Sequence, residues 1–141
     1  MHSHSIIHRD VKSANIFINI PGRDNAKPSD AINDDDLKRA DFKIADLNIA
    51  VMTGHGQMRT TMNGTPFFCS PEMLNHRQYN YNHDIYSLGV TLYHLTSLSL
   101  PFLGDTISEI LRNQKMKKPK KIPRFYSAEL RTIIESMMHK D

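Results

Sequence analysis

His8-Arg9-Asp10-Val11-Lys12-Ser13-Ala14-Asn15 is the stretch from which the rest of the sequence can be read. An aspartate stands five residues before an asparagine, and a lysine follows that aspartate by two. Asp46, at the end of Lys43-Ile44-Ala45-Asp46, stands thirty-one positions beyond Asn15. Moving a phosphoryl group calls for this inventory. A carboxylate must aim the incoming hydroxyl, a cation must neutralise charge on the moving group, and two oxygen ligands must hold Mg²⁺ against the phosphates.

Outward from that stretch, residues 16–20 read Ile-Phe-Ile-Asn-Ile, a β-rich run closed by Pro21-Gly22. Residues 41–44 begin a second short strand, and the two are expected to pair as a small hairpin. The segment between them, residues 21–40, is polar, holds three consecutive aspartates at 34–36 and shows no apolar period. It reads as a mobile surface insertion. Residues 51–69 keep no regular period either. Gly54, Gly56, Gly64 and Pro66 punctuate a long loop, of a length that in a compact domain is usually functional or disordered.

Three helical stretches follow. One runs from a cap at Asn82 or His83 to about residue 97, with Ile85, Leu88, Leu92 and Leu95 at helical spacing and Val90 and Tyr93 widening the apolar surface. Pro101 stops it. Thr106-Ile107-Ser108-Glu109 reads as a capping box for a second helix. Ser127 caps a third, which carries Leu130, Ile133, Ile134 and Met137. The fold class is therefore mainly α with a small β-hairpin.

The 141 residues suit one domain with a real core, at 39% hydrophobic and 23% charged. The net charge of +3 is mild. Its only concentrated basic run, residues 115–121, reads as a solvated linker, so no nucleic-acid partner is expected. Salt-dependent retention on DNA or RNA would be needed to revive that reading. No window approaches a membrane span, and no apolar run of signal-peptide length opens the chain. With one cysteine, Cys69, no disulfide within the chain can form. A reducing compartment fits: the cytoplasm, with the nucleus or the cytoskeleton as alternatives. Eight histidines invite a metal site, but His2, His4 and His8 lack the carboxylate or cysteine spacing that would complete one. Cys69 has no base placed near it in sequence, which argues against a reactive thiol.

HRDVKSAN resembles the catalytic loop of the eukaryotic protein kinases, H-R-D-x-x-x-x-N. The resemblance implies the C-terminal lobe of the protein-kinase-like (α+β) fold. It implies that Asp10 is the catalytic base, that Lys12 lies by the γ-phosphate and that His8 is structural. Asn15 and Asp46 would be the Mg²⁺ ligands, and Phe17 would floor the adenine of ATP. A lysine at position 12 resembles serine/threonine kinases rather than tyrosine kinases. Gly64-Thr65-Pro66-Phe67-Phe68-Cys69-Ser70-Pro71-Glu72 resembles the end of an activation segment, with Ser-Pro-Glu for the family's Ala-Pro-Glu. Thr65 would then bond to Asp10 and Lys12 and help seat a substrate hydroxyl. Asp84-Ile85-Tyr86-Ser87-Leu88-Gly89 resembles the start of the central helix, whose Asp84 would brace the catalytic loop. Arg9 implies a pocket for an anion, so Thr61, and less well Thr60, are candidate activating phosphosites. The wording of HRDVKSANIF and GTPFFCSPE is most similar to the NIMA-related kinases.

The sequence departs from the family's pattern in places. Asp46-Leu47-Asn48 stands for Asp-Phe-Gly. Leu47 fills the aromatic position with less volume, and Asn48 tolerates left-handed backbone. Residues 1–4 resemble the last turn of the helix before the catalytic loop, and no Gly-rich loop or strand lysine of the N-terminal lobe is found. Gly54-His55-Gly56 is a near match that fails at its third glycine. The arginine that pairs with Glu72 in the family is also missing. A buried carboxylate left without its partner costs about 3–5 kcal/mol. Residues 1–141 are therefore expected to be a partial protein kinase domain, the C-lobe with the N-lobe absent. The expected activity is transfer of the ATP γ-phosphoryl group to serine or threonine of a protein substrate, with this fragment silent alone. A pseudokinase-like lobe acting as an interaction module is the alternative.

Overall fold

The computed structural model describes residues 1–23, 27, 30–52 and 64–139. Thr60, Thr61, Gly54 and Gly56 lie outside the described residues. After a 3₁₀ turn at His2–His4 come β1 (Ile6–Ile7), a 3₁₀ turn at Ser13–Asn15, β2 (Ile16–Asn19), α1 (Asp34–Arg39), β3 (Asp41–Ile44) and β4 (Val51–Met52). A 3₁₀ turn at Pro66–Phe68 leads into α2 (Pro71–Leu74), α3 (Asn82–Ser97), α4 (Ile107–Met116) and α5 (Ala128–Met137).

The expected hairpin is present. β2 and β3 pair antiparallel with Ile16 opposite Ile44, Phe17 opposite Lys43, Ile18 opposite Phe42 and Asn19 opposite Asp41. A second pair, β1 with β4, sets Ile6 against Met52 and Ile7 against Val51. Two-residue strands carry no alternation, so nothing in the sequence pattern announces them.

The segment between β2 and β3 contains structure that its polar composition hides. α1 is held by caps and charge, which leave no apolar period. Asn33 accepts from the Asp36 amide at 2.9 Å, and Asp36 accepts from the Asn33 amide at 3.2 Å, a complete capping box. Three aspartates sit in its first turn and Lys38 and Arg39 in its last, which suits the helix dipole. Asp36 is buried, and its two oxygens take Arg23 at 3.0 Å and Arg39 at 3.2 Å.

α3 is the central helix, but the expected apolar stripe is rotated. Ile85 and Leu95 are 40% and 53% exposed, and Leu88 and Leu92 are only half-buried. The buried face is His83, Asp84, Tyr86, Ser87, Gly89, Val90, Thr91 and Tyr93. Small and hydroxyl side chains on that face let backbone come close. Ser87 Oγ donates to Phe68 O at 2.8 Å. A Cβ on Gly89 would lie 2.8 Å from Met137 Cβ, so α5 crosses where only glycine fits. Tyr86, Val90 and Tyr93 meet Phe68, Ile122, Ile134 and Met138 in the main core. Burying Ile134 completely contributes about 2 kcal/mol. Its neighbour Ile133, expected on the same face, is 54% exposed. A smaller core joins Cys69, Met73, Leu74, Tyr79 and Ile110.

The helix starts differ in detail from expectation. Tyr81 is the N-cap of α3 and makes no side-chain cap bond; Asn80 instead accepts from the Asn82 amide at 2.9 Å. Thr106 accepts from Glu109 N at 3.1 Å, while Glu109 reaches the Asp105 amide rather than closing the box on Thr106. Ser127 caps α5 by accepting from Leu130 N at 3.2 Å.

Candidate active site

The first turn of α3 holds the chain that carries Asp10. The Asp84 carboxylate accepts from His8 N at 2.8 Å and from Arg9 N at 2.9 Å. His2 adds its Nε2 to the same carboxylate at 2.8 Å. Arg9 is in left-handed backbone at φ 72°, a costly state for a residue with a Cβ, kept only where surrounding bonds over-determine it. His8 is buried and its tautomer is fixed by its neighbours. Nδ1 accepts from Asp10 N at 3.3 Å, so Nε2 carries the proton and donates to Ala45 O at 3.0 Å. That bond ties the loop to the end of β3.

Asp10 then gathers four groups. Lys12 Nζ donates to Oδ2 at 2.6 Å, and Asn15 Nδ2 donates to the same oxygen at 3.1 Å and to Asp10 O at 2.8 Å. Thr65 donates twice to Oδ1, from its amide and its hydroxyl, each at 3.1 Å. Lys12 also donates to Thr65 Oγ1 at 2.8 Å. Burial pushes the Asp10 carboxyl up, but the bonds from Lys12 and Thr65 and the Lys12 charge outweigh it and hold the group below its ordinary value. Asp10 is therefore ionised at neutral pH, aimed, and beside a cation. Asn15 spends both hydrogens of its amide on Asp10, which leaves Oδ1 as the atom free to meet a cation.

Gly64 explains how Thr65 comes so close. It has φ 104°, and a Cβ there would stand 2.5 Å from Arg9 O and 3.4 Å from Asp10 Oδ1. Only glycine lets the 64–65 backbone lie on the loop.

Asp46 sits one residue past Ala45, whose amide donates to Asn15 O at 2.9 Å. The two oxygen-bearing residues therefore share one end of the hairpin. Asp46 is exposed and has φ 67°, so the left-handed residue of this motif is Asp46, and Asn48 is not one of the positive-φ residues. Asn48 N instead donates to Asp46 Oδ1 at 3.4 Å. Leu47 is 58% exposed, and Phe17 stands 60% exposed on the hairpin face it shares with Lys43. Among the described residues no group of three or more His, Cys, Asp and Glu is placed to hold a metal ion by itself. An Asn15–Asp46 pair fits a Mg²⁺ that takes most of its ligands from phosphate and water.

Other expectations fare differently. Arg9 Nε donates to Ile49 O, and its Nη1 to Tyr79 Oη at 3.5 Å. Glu72 is only half-buried, and it lines a cavity of about 550 Å³ together with Arg77, Tyr86, Lys115 and His139. Solvent in that opening removes much of the cost expected for an enclosed carboxylate. Cys69 is buried, its thiol aimed at Thr65 O at 3.4 Å. Burial, and then the Asp10 charge, push its pKa up to about 12. The thiol therefore stays protonated and inert.

Sequence reasoning missed His83. It is fully buried, and Nδ1 accepts from Ser70 Oγ at 2.9 Å while Nε2 faces Arg9 O at 3.4 Å. It also missed the grip of His2 on Asp84. The available signal was a histidine beside Asp84 in the first turn of the central helix, where a buried polar side chain must find a partner.

The whole chain, residues 1–141, matches the protein kinase domain family. Mouse serine/threonine-protein kinase Nek11 is 34% identical over 141 residues, covering 99% of this chain and 19% of that protein. Human serine/threonine-protein kinase Nek2 is 34% identical over 137 residues, covering 96% of this chain and 27% of that protein. Mouse serine/threonine-protein kinase Nek4 is 30% identical over 141 residues, covering 99% of this chain and 16% of that protein. The chain spans between 16% and 27% of the length of these relatives.

Proposed function

This chain belongs to the protein kinase domain family, and on that premise we propose that it is the C-lobe of a NIMA-related serine/threonine kinase, carrying the chemistry of phosphoryl transfer from MgATP to a protein hydroxyl. The observation that carries the reading is the single cluster of Asp10, Lys12, Asn15 and Thr65, with four donors converging on one carboxylate. In this reading Asp10 orients and accepts the proton of the substrate hydroxyl, and Thr65 keeps that carboxylate aimed. Lys12, already beside Asp10, neutralises charge on the transferring group. Asn15 Oδ1 and Asp46 would hold Mg²⁺, which supplies charge neutralisation between the phosphates when bound. Phe17, open on its hairpin face, offers the planar floor for adenine.

A second reading, a silent lobe that docks other proteins, is favoured by one feature. Ile18, Phe42 and Ile44 share a hairpin face and are 49%, 61% and 46% exposed. A further part of the polypeptide would cover the same face in the first reading. Titrating the chain with ATP by NMR separates the two. The first reading expects Mg²⁺-dependent shifts at Asn15, Phe17 and Asp46. No response at these three positions at millimolar MgATP, while the Asp10 cluster stays folded, would favour the docking lobe.

A further inference from the structure

His83 stands between two segments that must stay in register for Asp10 to be aimed. On one side is the left-handed peptide of Arg9, directly before Asp10. On the other is Ser70, at the end of the run that begins with Thr65. Asp84 fixes the Arg9 amide from the N–H side at 2.9 Å. His83, the preceding residue of the same helical turn, meets its carbonyl at 3.4 Å. The opposite ring nitrogen accepts from Ser70 Oγ at 2.9 Å and from Ser70 N at 3.4 Å. An imidazole that accepts at Nδ1 and donates at Nε2 is neutral, with its tautomer set by both partners. Ser87, one turn on, approaches Nε2 at 3.5 Å, and the Tyr79 ring lies 5.5 Å from the imidazole. No solvent reaches the ring, so no water can replace a bond that is lost.

We propose that His83 is a positioning residue that pins the Arg9 carbonyl to Ser70, so that Asp10 and Thr65 remain in contact only while its imidazole is neutral. Its importance for phosphoryl transfer rests on the function proposed above; the coupling itself does not. A proton on Nδ1 removes the acceptor for both Ser70 donors. Several charged groups face the ring. Asp84 on its own helix and Glu72 on α2 favour the proton, as does the bond to Arg9 O, and the Arg9 guanidinium opposes it. Burial, the largest influence, outweighs these and holds the imidazole below its ordinary value of 6.5. The unfolded chain takes the proton first, so this contribution to stability is complete above 6.5 and is lost as pH falls through the lower folded value.

The test follows the amides of Asp10, Thr65 and Ser70 by NMR during a pH titration of the whole chain, which needs neither nucleotide nor activity. The unmodified chain should show one shared transition at all three amides, with a midpoint below the ordinary histidine range. His83→Asn keeps an acceptor at the distance of Nδ1, and His83→Gln keeps a donor at the distance of Nε2. Both should abolish the shared transition. The Asn variant should keep Ser70 protected from exchange, and the Gln variant should exchange there roughly tenfold faster. Persistence of the same transition in either variant would overturn the proposal, as would independent midpoints at the three amides of the unmodified chain. Failure of MgATP to bind would count against the proposed function and leave these outcomes unchanged.

Discussion

The loop that carries Asp10 and the hairpin that leads to Asp46 are built in opposite ways. Around Asp10 the side chains form one hydrogen-bonded network that leaves Asn15 Oδ1 open. Asp84 holds two amides and His8 bridges to Ala45, while Lys12, Asn15 and Thr65 converge on one carboxylate. At the hairpin the apolar side chains of Phe17, Ile18, Phe42 and Leu47 are exposed, and Asp46 stands open. The first region is finished by contacts within the chain. The second leaves its apolar side chains uncovered by the described residues.

That contrast can be broken at several points. Asp84→Ala should have the largest effect, because it strips a buried acceptor from the His8 and Arg9 amides and from His2. About 3 kcal/mol or more should be lost, read as a shift of the urea midpoint. A loss under about 1 kcal/mol would mean that the loop holds itself. Gly64→Ala comes next. Its Cβ would clash with Arg9 O, and the positive φ adds strain, about 1–3 kcal/mol in all. Thr65 should withdraw, and the Asp10 carboxyl should rise toward its ordinary value of 3.8, as read by carboxyl ¹³C titration. The smallest effect is expected on the hairpin. Phe42→Ser should change stability by no more than about 0.5 kcal/mol, measured by thermal melting. A larger loss would show that the open face is packed in solution.

The same contrast explains what the sequence could reveal. The spacing from His8 to Asn15 was legible in the residues themselves, whereas the Thr65 contact and the Asp84 brace were legible only through the resemblance of their short motifs to those of the protein kinases. The helices at 82–97 and after Ser127 were legible from period and caps. α1 was hidden because Asn33, Asp36 and Arg39 hold it without apolar periodicity. The buried face of α3 was misjudged because Ser87, Gly89 and Thr91 do the close packing while Ile85 and Leu95 face outward. His83 was missed because a buried histidine declares itself only through its partners, and Ser70 and Arg9 are distant in sequence.

The most direct measurement is transfer of labelled γ-phosphate from MgATP to protein serine and threonine by the whole protein, with Asp10→Asn compared against the unmodified form. Loss of the aimed carboxylate should lower the turnover rate about 10²–10⁴-fold while circular dichroism stays unchanged. A variant that turns over within about twofold of the unmodified protein would contradict the account, because the group on which all four contacts converge would then be dispensable.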